Sequence, residues 1–434
     1  MKKVLLLTYY WPPSGGPGVQ RWLKNAVFLR DFGWDCIVIT PKEPVASSTD
    51  LSLLNEVPDD MRVLHTKAKD PFKAYALLKG KKNKSTGTGG IGISSNPGKL
   101  QNAINYIRAN FFIPDARKGW NPYLIKEARR VLKEEKIEAI ISTGPPHSTH
   151  LAAMQLQKEF DLPWLADFRD PWVNIFYNQF FPRTKNTQAK DQAMENEVLK
   201  TADRILTVSP GLAKEFEDRA KKVEILYNGF DPKDLPSTYS QKSEKFRISY
   251  TGNFKPNQNV EALWQGLAKL IKERTDFAQD FQLEIVGNLD SSIRESIENA
   301  GLSSCLKDHG YQAHHYATQV MVDSNALLFI VPQTKDNHLI LTGKLFEYLG
   351  SGTPLISIAP PKGNAAKIIT ETERGPSIDY TDHEGIKNRI LSLYKDWKSK
   401  SGELTKLSSE STLAYTRKGS TQKLAQTLDQ ISKA

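Results

Sequence analysis

The sequence predicts an α/β protein made of two doubly wound parallel-sheet domains. Three observations carry this. The chain has 434 residues, more than one ordinary core accommodates. Apolar runs of strand length alternate with longer segments of helical periodicity, the pattern of βαβ units. The alternation then restarts in the second half, after the turn-rich stretch Tyr227-Asn228-Gly229-Phe230-Asp231-Pro232 and a polar segment.

In order, the expected strands of the first half are Val4–Thr8, Cys36–Thr40, Ala139–Ser142, Trp164–Asp167, Arg204–Val208 and Val223–Leu226. Those of the second half are Arg247–Tyr250, Leu283–Val286, Ala326–Val331 and Pro354–Ile358. Residues 1–226 thus read as the first domain, 227–245 as a linker, 246–403 as the second domain and 404–434 as a polar helical tail. Within the first domain, 79–98 is rich in Lys, Gly, Ser and Asn and reads as a mobile basic loop. The stretch Leu100–Ile113 that follows carries an apolar helical stripe with aromatic residues. It suits either packing on its own domain or contact with an anionic membrane surface.

Hydrophobic residues at 39% and charged residues at 25% place the chain among soluble globular proteins and exclude global disorder. Only two cysteines occur, Cys36 and Cys305, one in each half, so neither a disulfide framework nor a Cys-based metal site is expected. A reducing, cytoplasmic setting fits. The apolar start Val4-Leu5-Leu6-Leu7 is short and passes into Tyr9-Tyr10-Trp11-Pro12-Pro13 without a small-residue cleavage site, so it reads as a buried strand. No run approaches the roughly 18 apolar residues of a membrane span. The net charge of +10 favours an anionic partner such as a nucleotide or a phospholipid surface, or else a solvated basic face with no specific partner. No nucleic-acid-binding module accompanies the charge, so nucleic acid is not an expected partner.

Five loops stand where a strand gives way to a helix, the edge at which open α/β sheets bind ligands. The first is Pro12-Pro13-Ser14-Gly15-Gly16-Pro17-Gly18-Val19-Gln20-Arg21, whose Gly15, Gly16 and Gly18 permit close approach of a ligand or simply a tight turn. It does not meet the Gly-x-Gly-x-x-Gly dinucleotide fingerprint, because Arg21 follows where a glycine is required. The second, Ser142-Thr143-Gly144-Pro145-Pro146-His147-Ser148, offers the His147 imidazole to a ligand hydroxyl or uses it at a helix start. The third, Asp167-Phe168-Arg169-Asp170-Pro171-Trp172, bunches three charges as a polar lining or as a mutual ion-pair network. The fourth, Gly252-Asn253-Phe254-Lys255, contains one cation, and Gly287 and the His309-Gly310-Tyr311 run end the next two strands.

The fifth is the most informative: Leu341-Thr342-Gly343-Lys344-Leu345-Phe346-Glu347-Tyr348-Leu349-Gly350-Ser351-Gly352, followed by an apolar strand. A helix N-terminus with free N–H groups and an adjacent ammonium suits a diphosphate. Glu347, three residues after Lys344, shares its face of the helix and could accept hydrogen bonds from paired sugar hydroxyls.

This segment resembles the nucleotide-sugar site of glycosyltransferase family 4, the retaining enzymes of GT-B fold, and the resemblance extends over nearly the whole chain. The Asp-x-Arg-Asp-x-Trp string at Asp167–Trp172 is similar to that of a bacterial surface-polysaccharide subset. The resemblance implies two Rossmann-like domains facing an interdomain cleft, with the tail crossing back onto the first domain. It assigns catalytic roles to His147, Lys344 and Glu347, the last as ribose ligand. It assigns substrate contacts to Gly15, Gly16, Gly18, Arg21, Asp167, Arg169 and Asp170 in the first domain. In the second it assigns them to Gly252, Asn253, Lys255, Gly287, Tyr311 and the backbone of Leu341, Thr342 and Gly343.

Two positions depart from the family pattern. The first Glu of its Glu-x7-Glu pair falls at Leu339, and a diphosphate-clamping Arg falls at Asn253. Donor specificity therefore does not carry over. The expected activity is transfer of a sugar from a nucleotide-diphosphate sugar to a glycan or lipid-linked acceptor, without metal or other cofactor, at the inner membrane face. The alternatives are a sugar-nucleotide 2-epimerase and a non-catalytic nucleotide-sugar-binding subunit.

Overall fold

A computed structural model of the chain describes residues 1–69, 99–175, 178 and 180–432. The basic stretch 79–98 lies outside the described residues. The chain forms two compact units, Met1–Tyr227 with Ser420–Ala434, and Asn228–Gly419.

In the first unit seven strands pair in parallel: β1 Lys2–Leu7, β2 Trp34–Pro41, β3 Val63–Thr66, β4 Ala139–Gly144, β5 Trp164–Phe168, β6 Arg204–Thr207 and β7 Val223–Ile225. Their order is β3-β2-β1-β4-β5-β6-β7. Alternate residues of β1 enter opposite cores, which is why the strand is apolar throughout. Leu5 and Leu7 pack with Trp120, Leu124, Ala128 and Leu156. Val4 and Leu6 pack with Val19, Trp22, Leu23 and Ala26 of α1 (Pro17–Phe28). On the first face lie α3 (Asn121–Glu134), which follows α2 (Lys99–Phe111), then α4 (Ser148–Phe160) and α5 (Lys185–Thr201). A shorter helix, α6 (Pro210–Phe216), leads to β7.

The second unit holds β8 Phe246–Thr251, β9 Phe281–Val286, β10 Leu306–Asp308, β11 Ala326–Ile330, β12 Leu355–Ile358 and β13 Ser377–Ile378. Their order is β10-β9-β8-β11-β12-β13, again all parallel. Between them run α7 Glu261–Glu273, α8 Thr275–Asp280, α9 Ser291–Asn299, α10 His314–Asp323, α11 Gly343–Ser351, α12 Asn364–Glu371 and α13 His383–Ser399. Leu263, Trp264, Leu267 and Leu270 of α7 meet Ile386, Ile390, Tyr394 and Trp397 of α13 over one face of the sheet.

Two edge strands, β3 and β13, escaped the sequence reading because four and two residues leave no periodicity to detect. The polar stretch expected as a linker is hydrogen-bonded into the second unit. Phe230 N–H donates to the Tyr415 carbonyl over 3.1 Å, Arg417 N–H to the Phe230 carbonyl over 2.8 Å, and Lys242 bridges to Glu403. The tail expected to be helical from residue 404 is irregular there, and its helix, α14, runs Arg417–Ile431. Leu424, Ala425, Leu428 and Ile431 of α14 bury against Val4, Leu6 and Trp22 in the first unit's core. A polar-looking segment is thereby held by one apolar stripe.

Candidate functional site

Strand order sets where chemistry can collect. In each sheet the winding reverses once, between β1 and β4 and between β8 and β11, and ligands of such sheets sit beyond the carboxyl ends at this reversal. The loops after β1 and β4 carry Gly15–Gly18 and His147. The loops after β8 and β11 carry Gly252–Lys255 and the approach to Lys344.

In the second unit, Thr342 precedes α11 without capping it, and the Gly343 and Lys344 N–H groups have no acceptor among the described residues. A Cβ on Gly343 would meet nothing within 4 Å, so this helix start is open. The half-buried Lys344 ammonium lies 3.5 Å from the centroid of the Tyr250 ring. Tyr250 is itself fixed, stacked on Phe254 at 3.9 Å and donating its hydroxyl to the Asn253 carbonyl at 2.9 Å. Burial, with Lys255 adding and Glu347 opposing, brings the Lys344 amine down to about 7. Glu347, one turn on, is pushed up by burial, with His314, Arg417 and Lys344 opposing. Neither side chain has a hydrogen-bond or ion-pair partner among the described residues. Tyr348 anchors α11 to the end of β8, accepting at its hydroxyl from Thr251 N–H over 2.9 Å.

Around this pair, Gly252 adopts φ +97, and a Cβ there would stand 3.4 Å from Cε and Nζ of Lys344. Gly287 is needed for packing: a Cβ there would lie 2.3 Å from the Gly252 carbonyl oxygen. Asn253, at the family's Arg position, is exposed and accepts from Asn288 Nδ2 over 2.9 Å. Lys255 is exposed. Leu339 closes a short turn, and its carbonyl accepts from Asn364 Nδ2 over 3.3 Å. Leu341 and Thr342 are half-buried at the helix approach. Tyr311 is 80% exposed.

In the first unit the charges divide differently from the expected common lining. Asp167 is fully buried and accepts from Arg21 Nη2 at 2.8 Å, Trp22 Nε1 at 2.6 Å and Thr143 Oγ1 at 2.9 Å. Arg21 also donates to the Leu226 carbonyl at 2.6 Å. This pair tethers α1 to β5 inside the protein, which removes both side chains from a solvent-facing site. Arg169 turns back onto its own sheet edge, donating to the carbonyls of Gly144 at 3.1 Å and Pro145 at 2.7 Å. Gly18 makes room for it, since a Cβ there would fall 1.4 Å from Arg169 Nη1. Gly15 is packed against Ser48, whereas Gly16 at φ +108 has open space where a side chain would be. Asp170 alone of the three charges is exposed.

His147 sits at the start of α4, 7% exposed, its ring stacked on Trp172 at 5.1 Å with planes 10° apart. Both ring nitrogens are buried, and the Pro171 backbone lies close enough to favour the charged ring. Burial and the neighbouring His150 and Arg169 hold its pKa well below the ordinary value, so the ring is neutral. His150 differs: its Nδ1 is 2.8 Å from Ser142 Oγ, which also accepts from Trp164 Nε1 at 2.9 Å. Donation from Ser142 to Nδ1 is compatible with the Trp164 bond and leaves the proton of His150 on Nε2, which is buried without a hydrogen-bond partner among the described residues. The N-terminus of α4 is held by Asp115, which accepts from Ser148 N–H and Oγ at 2.8 Å each.

Sequence reasoning missed Tyr250, Tyr348, Asp115 and the role of Trp172. Tyr250 and Tyr348 carried a signal, being aromatics next to the Gly252 turn and Glu347. Asp115 carried none, because its partner lies 33 residues away.

Residues 93–234 match the family model for Glycosyltransferase Family 4, and residues 245–396 that for Glycosyl transferases group 1. No curated protein matches the chain. Among solved structures, the chain is similar to the N-terminal domain of Candida albicans trehalose-6-phosphate phosphatase (TM-score 0.56, 14% identity, 99% of each chain covered). It is also similar to the pneumococcal O-GlcNAc transferase GtfA in complex with UDP and GlcNAc (TM-score 0.53, 11% identity, 99% of each chain). A third is the lipopolysaccharide outer core galactosyltransferase WaaB in apo form (TM-score 0.52, 13% identity, 100% of this chain and 99% of that one). At such identities the likeness is one of fold, and the fold is GT-B.

Proposed function

We propose, from the premise that its two matched families and its fold make this protein a GT-B glycosyltransferase, that it transfers a sugar from a nucleotide-diphosphate sugar to an acceptor hydroxyl with retention. The observation that carries the reading is Lys344: an ammonium with no counter-ion among the described residues, beside N–H groups at the start of α11 that have no acceptor among them, with Glu347 one turn further.

In this reading the donor diphosphate sits on the Gly343 and Lys344 N–H groups and on Nζ of Lys344, and Glu347 accepts from the ribose hydroxyls. The exposed Lys255 stands near enough to Lys344 to add to the positive field. As the bond from the anomeric carbon to the diphosphate oxygen breaks, charge grows on the leaving phosphate, where these preorganised donors stabilise it most. The acceptor oxygen forms the new bond on the same face, and its proton passes to the departing phosphate oxygen. No residue of this chain is bonded covalently to the sugar. His147, a neutral ring whose two nitrogens are buried in the unliganded protein, is the hydrogen-bond partner of a sugar or acceptor hydroxyl in this reading, and the exposed Asp170 of a second.

The acceptor is a glycan or lipid-linked sugar of bacterial cell-surface polysaccharide or glycolipid assembly. No helix among the described residues is long and apolar enough to cross a membrane. Peripheral contact is supported by Tyr106, Ile107 and Phe111 of α2, exposed by 47%, 50% and 65%.

The test is a panel of UDP-, GDP-, dTDP- and CMP-sugars with a lipid-linked acceptor extract, following nucleotide release. Acceptor-dependent release of one nucleoside diphosphate, lost in Lys344→Ala and Glu347→Ala, supports transfer. Isomerisation of a donor sugar without acceptor would show an epimerase instead, and nucleotide binding without turnover a binding subunit.

A further inference from the structure

Helix α5 turns two different faces to the loop that follows β5. Asp191 and Glu195, four residues apart, are buried and already engaged. Asp191 accepts from Trp172 Nε1 at 2.8 Å and from Arg183, while Glu195 accepts the Val173 N–H at 2.8 Å and pairs with Arg219. Gln188 and Gln192, also four apart, line instead an open cavity of about 450 Å³. Asn178, Arg183, Lys185 and Val173 line it too. That volume lies within the about 300–1,000 Å³ of small-molecule sites.

The polar groups of the cavity divide by chemistry. The Arg183 side chain is 7% exposed, and among the described residues only its Nη2 has an acceptor, Asp191. Nε and Nη1 have none, yet neither is sealed from solvent. Guanidinium donors at such depth are ordinarily paired, so an open edge there calls for an anion. The exposed Lys185 adds a second positive charge.

The amides present the opposite character, because each turns its NH2 group onto the protein. Asn178 Nδ2 donates to the carbonyls of Trp172 at 3.3 Å and Val173 at 2.9 Å. Gln188 Nε2 donates to the Arg183 carbonyl at 3.4 Å, and Gln192 Nε2 to Glu195 Oε1 at 3.2 Å and Asn196 Oδ1 at 3.1 Å. Their side-chain oxygens have no donor among the described residues; those of Asn178 and Gln192 are not sealed, and Gln188 is exposed. An amide oxygen only accepts, so a bare anion beside Arg183 would meet three like partial charges. A ligand that brings hydroxyl donors together with one anionic group satisfies every member of the set. Val173 supplies an apolar surface for the C–H face of a sugar ring. The single charge of a carboxylate suits these oxygens better than the nearly double charge of a phosphate monoester.

We propose that this cavity binds a sugar residue bearing a carboxylate, with the carboxylate on Arg183 and the hydroxyls on the oxygens of Asn178, Gln188 and Gln192. The cavity opens off the same loop as Asp170, so the sugar acid belongs to the acceptor glycan. That placement rests on the transfer reading above, whereas the binding itself does not.

The probes are methyl β-D-glucuronide, methyl β-D-glucoside and glucose 6-phosphate, titrated into the full isotope-labelled chain without nucleotide. The readouts are the dissociation constant and the Arg183 Nε–H resonance, assigned with Arg183→Lys. The glucuronide should move that resonance and bind about ten- to a hundredfold tighter than the glucoside, as a hydrogen bond to a charged group provides. Gln188→Ala combined with Gln192→Ala leaves the Arg183–Asp191 pair in place and should weaken the glucuronide about tenfold. This variant carries the test should Arg183→Lys fail to fold. A resonance unmoved by the glucuronide, equal affinity for the glucoside, tighter binding of glucose 6-phosphate, or full affinity in the double glutamine variant overturns the proposal. A chain that binds the glucuronide but releases no nucleotide from any donor would refute the transfer reading and leave the sugar-acid site standing.

Discussion

The Lys344 ammonium lies over the face of Tyr250, 3.5 Å from its centroid, rather than against a carboxylate. A ring face stabilises a cation without neutralising it, so the charge stays available to an anion. Tyr250 is in turn held by Phe254 and Gln258, which makes the platform rigid.

Nucleotide binding should therefore depend on pH through Lys344. With the free amine at about 7, a bound diphosphate favours the ammonium and raises its pKa. Below about pH 7 the ammonium is already present. Above it, binding must take up a proton, and affinity falls by up to about tenfold per pH unit until the bound-state pKa is reached. Calorimetry of UDP and GDP from about pH 7 to about pH 9 should show this slope, and Lys344→Met should remove it.

The same substitution should stabilise the unliganded protein. The folded-state amine lies below its ordinary 10.5, so folding releases a proton. The resulting penalty is complete below about pH 7 and vanishes above about 10.5. At neutral pH Lys344→Met should raise the thermal midpoint by a few degrees while nucleotide binding weakens. A lowered midpoint would mean the ammonium is held by more than Tyr250.

Glu347→Gln keeps the shape of the side chain and removes a charged acceptor. Loss of charge-assisted hydrogen bonds to ribose should weaken nucleoside diphosphate about ten- to a hundredfold. A 2′,3′-dideoxy nucleotide should bind wild type and variant alike, which a titration with both ligands checks.

Asp167→Ala should act on stability. It removes the buried Arg21–Asp167 ion pair and the acceptor of Trp22 Nε1 and Thr143 Oγ1, and breaking such a buried pair costs about 3–5 kcal/mol. Denaturant unfolding should show that loss in the first unit, with UDP affinity in the second unit unaltered.

Gly287→Ala places a methyl 2.3 Å from the Gly252 carbonyl oxygen at φ +130. The backbone at Gly252 must shift, and with it the wall beside Lys344. Both the thermal midpoint and UDP affinity should fall. Gly343→Ala, with open space at its Cβ position, should leave the midpoint near wild type.

The sequence by itself determined the doubly wound architecture, the loops that end β1, β4, β5, β8 and β9, and the shared helix face of Lys344 and Glu347. These are local properties: apolar runs, turn residues and a helical period are readable within one window of chain. Only the tertiary structure decided which charges face a ligand. Asp167 and Asp170 look equivalent in one motif, yet Asp167 is consumed by Arg21, 146 positions away, while Asp170 is exposed. Gly18 and Gly287, to which the resemblance gives substrate contacts, also make room for Arg169 and for the Gly252 backbone. Asp191 lies in an unremarked polar helix until folding brings it to Trp172. The physical reason is the same in each case: the cost of burying a charge or a Cβ depends on the partner that arrives from elsewhere in the chain, and no local window contains that partner.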